Sequence, residues 1–90
     1  MPNKGNFTNL AVAAAKHAND IRQAQSNVNN SMHNPSRMNS VVAFWKAKLS
    51  RNSANLVKRA RNLGVHSNKY PVDTPEYYSL LVNLAMNKAR

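Results

Sequence analysis

The chain contains no cysteine, two glycines, four prolines and three acidic residues in 90 positions. Without cysteine there are no disulfide staples, no cysteine zinc ligands and no thiol nucleophile, and the redox compartment is undetermined. With two isolated glycines there is no glycine-rich phosphate loop. The three carboxylates, Asp20, Asp73 and Glu76, are few for acid/base work. The expectation is a protein that is not an enzyme and holds no cofactor. His17, His33 and His66 are scattered and have no carboxylate beside them in sequence, so no metal site is expected. The longest apolar runs, around Ala11–Ala15 and Val41–Trp45, are far short of the ~20 residues of a membrane span. The first residues have no apolar run behind their charge, so no secretory signal is expected. The location expected is intracellular or within a virion.

What is abundant is positive charge. The net charge is +10. From Arg22 to Val72 there are nine basic residues and no acidic one. Such a chain repels itself and favours anionic partners, of which the phosphate backbone is the commonest. Ninety residues make one small domain, 1–90, that folds with little margin. Many of its apolar residues are alanine, which bury little area each. Self-association or a larger assembly is therefore compatible with the composition.

Pro35, Gly64, Pro71 and Pro75 cut the chain into three helical segments. The first is expected from about Thr8 to Met32, capped by Thr8 or Asn9, with residues 1–6 loose. Phe7, Leu10, Ala14, His17, Ile21, Ala24 and Val28 recur at steps of three and four, the period of one helix face. The second is expected from Ser36 to Leu63. Its stripe is Met38, Val42, Trp45, Leu49, Ser53, Leu56, Ala60 and Leu63, with Gly64 just past its end. The spacing predicts that Trp45, Leu49 and Leu56 are buried. The third starts at Asp73 or Thr74, where Asp73 and Glu76 suggest a loose capping box. Its apolar face is Tyr77, Leu80, Leu81 and Leu84. The fold expected is all-α: two long helices in a hairpin, closed by a shorter third.

At ~100° per residue, Arg37, Lys48, Arg51, Lys58 and Arg59 lie away from the second helix's apolar stripe, with Lys46 and Arg61 at its margins. A solvated face ordinarily mixes Lys with Glu; this one has no acid. With Lys69 from the following loop, these residues form the candidate site for nucleic acid or another anionic partner. Tyr70 and Phe44 are the candidate aromatic anchors. Phe44 projects among Arg37, Lys48 and Arg51, outside the Trp45 stripe, and the balance favours packing against a neighbouring helix. His17 on the Ala-rich stripe reads as a helix contact rather than a ligand.

A long helix between two others resembles the histone fold in outline, although the first helix is longer than that fold allows and no residue carries across. Small basic ribosomal and virion proteins are similar in composition. The leading expectation is nucleic-acid binding, to DNA or RNA, through the cationic face of the second helix. The alternative is a structural assembly subunit of a virion or other large particle, its charges meeting acidic protein surfaces. A further alternative is a small inhibitor that blocks a nucleic-acid site. A membrane partner is disfavoured, because the Trp stripe serves more economically as core.

Overall fold

The structure is a computed structural model that describes residues 4–90. It contains α1 (Lys4–Asn30), α2 (Pro35–Asn62) and α3 (Pro75–Ala89), and no strand among the described residues. α1 and α2 pack as a hairpin, and α3 lies on α1. None of these helices is long and apolar enough to cross a membrane.

Local chemistry explains the boundaries. α1 is already helical at Lys4, four residues before the expected start at Thr8, and residues 1–3 of the stretch expected to be loose fall outside the described residues. Thr8 does not cap it. Its hydroxyl donates to the Lys4 carbonyl at 3.1 Å, a bond inside the helix. Phe7 and Leu10 are buried in this first stretch and hold it. Asn34 caps α2, its side chain accepting from the Arg37 N–H at 3.2 Å. Pro35 then takes the first helical position, where no N–H is needed. α2 closes on Gly64 at φ +74°. The Val65 N–H reaches the Ala60 carbonyl at 2.9 Å, and the Gly64 N–H reaches that of Arg61 at 3.2 Å. This pair of bonds is the Schellman closure.

The capping box expected at α3 is not formed. Thr74 is the N-cap residue and Pro75 follows, so Glu76 stands one position too early to complete the box. The Thr74 hydroxyl instead donates to the Pro71 carbonyl at 2.8 Å.

The core lies along α1. Leu10, Ala11, Ala14 and Ala18 are buried against Tyr77, Tyr78, Leu81 and Ala85 of α3 and Leu56, Val57 and Ala60 of α2. Alanine brings the helices close, and the tyrosines fill the space that remains. The loop after α2 runs back along it: Tyr78 donates to the Val72 carbonyl at 2.5 Å and pairs with the Ser53 hydroxyl. Tyr78 also meets His17 edge-on at 4.4 Å, and Arg22 donates to the Ser79 hydroxyl at 3.2 Å. The start of α3 therefore stands beside the middle of the hairpin.

That placement corrects the expected core. Of Trp45, Leu49 and Leu56, only Leu56 is buried; Trp45 and Leu49 are half-buried. No residue of α2 before Leu56 is buried. The reason is length. α2 is about 42 Å long and α3 about 22 Å, so the third helix covers only part of the hairpin. Phe44 packs against neither neighbour and is 63% exposed, which overturns the core reading.

Candidate nucleic-acid interface

α2 carries seven cations and no acid. Arg37, Lys48, Arg51, Lys58 and Arg61 are exposed, as is Lys69 in the loop; Arg59 is half-buried. Arg37 to Lys58 span about 30 Å along the helix. With three carboxylates against thirteen Lys and Arg in the chain, most of these charges have no internal counterion.

The cations do not form one uniform face. Arg51 and Lys58 point outward with Phe44, on the side of α2 away from α1. Lys58 and Arg61 flank a shallow depression closed by Val72 from the loop. Lys48 bends over the Trp45 ring, its ammonium 4.9 Å from the ring centre. Arg59 turns towards α1. The two aromatic candidates are far apart in use. The Phe44 ring stands free except for an edge contact with Trp45 at 5.4 Å. Tyr70 is half-buried under Lys69, whose ammonium lies 5.5 Å from its ring, and it packs on the core.

The structure adds residues that the charge pattern did not single out. Lys16 and Asp20 of α1 line a groove of about 220 Å³ with Lys48, Asn52, Asn55 and Arg59 of α2. The groove continues past Arg59 to Asn9 and Asn62. No residue of α3 lines either part. The signal was present in the sequence as two rows, polar except for Ala13: 6, 9, 13, 16, 20 on one helix and 48, 52, 55, 59, 62 on the other. Each row advances by threes and fours beside an apolar stripe, so the hairpin brings the two rows face to face.

His17 stands at the back of this groove, buried, with neither ring nitrogen hydrogen-bonded. Burial lowers its pKa below the ordinary histidine value, and the Asp20 carboxylate opposes this more weakly. On the far side of the core, the Tyr77 hydroxyl pairs with His66 Nδ1 at 2.7 Å, and His66 Nε2 pairs with the Asn68 side-chain oxygen Oδ1 at 3.1 Å. That fits an imidazole with its proton on Nε2, accepting from the tyrosine. Burial raises the pKa of both Tyr77 and Tyr78. Both rings are fully buried, so they act as structure and offer no surface for stacking. Among the described residues no group of three or more His, Asp or Glu could hold a metal ion. Compared with known proteins, the chain matches no family model, no curated protein and no solved structure.

Proposed function

We propose that this chain is a small non-enzymatic nucleic-acid-binding protein that uses the cationic face of α2. The observation that carries the reading is a helix of 28 residues with seven cations, no acid and its outward residues exposed from Arg37 to Arg61. A helix kept for solubility alone has no need to exclude Glu and Asp. Phosphates fit the pattern because each is a point anion repeated along a strand, and each neutralised phosphate releases a counterion.

Binding to a nucleic acid measured by fluorescence anisotropy should weaken steeply with salt. With four to six phosphate contacts, the log–log slope on duplex DNA would be about −4 to −5. Arg51→Glu with Lys58→Glu should nearly abolish binding. Failure of both duplex and single strand to bind at low salt would reject the proposal.

One observation favours a second reading, an assembly subunit. The hairpin's far end exposes Met32 and Phe44 at 63% each and Val42 at 41%, next to the half-buried Trp45 and Leu49. Apolar area of this kind commonly marks a protein contact. Sedimentation at rising protein concentration separates the readings: concentration-dependent association abolished by Phe44→Ala would favour assembly.

A further inference from the structure

We infer that the groove between α1 and α2 reads the bases of an unpaired nucleic-acid strand, an assignment that rests on the nucleic-acid-binding function proposed above. Three observations converge on it. First, Lys16, Lys48 and Arg59 bring cations to it from both walls. Second, amides alternate with those cations. Among the described residues, the side chains of Asn9, Asn52, Asn55 and Asn62 make no hydrogen bond within the chain. Asparagine is also a poor helix former, so four of them on the walls of one groove do not serve helix stability. Third, His17, which lines both this groove and the depression beside Ser53 and Asp73, leaves two buried ring nitrogens unpaired, which is costly for a buried polar group.

The chemistry of this set is that of base edges as well as phosphate. An amide offers one acceptor and two donors, the complement of a base edge such as adenine N6/N7. Asp20 would be out of place in a pure phosphate site, because a carboxylate repels phosphate. It suits a groove that accepts from an exocyclic amino group, as Asp and Glu do with cytosine N4. From residue 48 to residue 62 the groove runs about 21 Å, and packed helix axes lie ~8–10 Å apart. Helices at that spacing are in side-chain contact, so the groove is a furrow along their seam, and an unpaired strand laid over it can turn splayed bases towards the furrow's side chains, the form in which unpaired strands are read. A duplex still presents these edges in its major groove but is too bulky to bring them down to side chains recessed between two packed helices, so it would meet only the outward cations Arg51 and Lys58.

The test compares a mixed-sequence single-stranded oligonucleotide with its duplex, by anisotropy across a salt series. The probes are the wild-type chain, Asn52→Ala with Asn55→Ala, and Arg51→Glu with Lys58→Glu. Alanine is the better helix former, so the amide variant keeps its fold. Single strand should bind more tightly than duplex. The amide variant should lose about tenfold or more on single strand, with unchanged duplex affinity and an unchanged salt slope, because amides release no counterions. The charge-reversal variant should nearly abolish binding of both ligands. Equal affinity for single strand and duplex, or an amide variant that binds single strand like wild type, would overturn the groove assignment while leaving phosphate binding by α2 intact. If polyglutamate binds as tightly as the oligonucleotide and is equally sensitive to the amide variant, the groove is a protein site and the assignment fails. If no nucleic acid binds at all, the underlying function fails with it.

Discussion

Tyr78 joins three parts of the chain through one side chain. Its hydroxyl donates to the Val72 carbonyl and pairs with the Ser53 hydroxyl, which itself reaches the same carbonyl at 3.4 Å. Its ring meets Tyr77 at 4.9 Å and His17 at 4.4 Å, both edge-on. His17 gains a packed position there but no hydrogen bond, and this has a consequence for pH. The unfolded chain takes up the His17 proton near pH 6.5; the folded chain, its pKa lowered chiefly by burial, takes it up only at lower pH. The stability linked to this residue is complete above about pH 6.5 and is lost as the pH falls from there through the folded-state pKa. Thermal melts between about pH 8 and 5 should show a falling Tm, and His17→Leu should flatten that fall. Phe44 makes the opposite case. With its ring exposed, Phe44→Ala should change stability by no more than about 0.5 kcal/mol in denaturant titration. A loss of several kcal/mol would mean that another molecule covers the ring.

At the scale of elements, the two ends of α2 differ. The end from Leu56 to Ala60 is buried against α1 and the core, whereas the end from Pro35 to Leu49 has no buried residue. Leu56→Ala should cost about 2–5 kcal/mol, the range for a closed site. Leu49→Ala should cost clearly less, because its side chain borders an open groove with Trp45 and Ile21. Amide hydrogen exchange should follow the same gradient, slow around Ala60 and fast before Leu49, since local opening follows buried contact. Fast exchange through the whole of α2 would contradict the packing of Leu56 and Ala60. The half with no buried residue is also the half that holds Phe44, Trp45, Lys46 and Lys48, so part of the candidate interface stands on the less anchored part of the helix.

The whole molecule is elongated, with extents of 50 × 22 × 17 Å and a radius of gyration of 14.7 Å, against about 12 Å for a compact domain of this length. Two helices of ~40 Å lying side by side set the long axis. The net charge of +10 is spread over this rod and opposes folding through self-repulsion. Salt should therefore act in opposite senses on two measurements. Raising it from about 0.02 to 0.3 M should increase Tm of the free protein by screening, and over the same range it should weaken binding to nucleic acid. A Tm that falls with salt would show that favourable ion pairs outweigh the repulsion.

The periodicities of Phe7–Val28, Met38–Leu63 and Tyr77–Leu84 and the breaks at Pro35, Gly64 and Pro75 were enough to determine three helices, because helix formation and termination depend on residues within a few positions of one another. The absence of acids from α2, and with it the cationic face, is likewise a property of composition and needs no fold. Which part of each stripe is buried was not legible. Trp45 and Leu49 share their stripe with Leu56, and only the tertiary packing around α1 decides that Leu56 is buried while the other two are half-buried. The same holds for Phe44, whose exposure depends on where its neighbours stop. The polar rows carrying Lys16, Asn52 and Asn55 are visible in sequence one helix at a time, but a groove needs two walls. Only the hairpin, by turning α2 back along α1, set the two rows opposite each other and placed His17 between them.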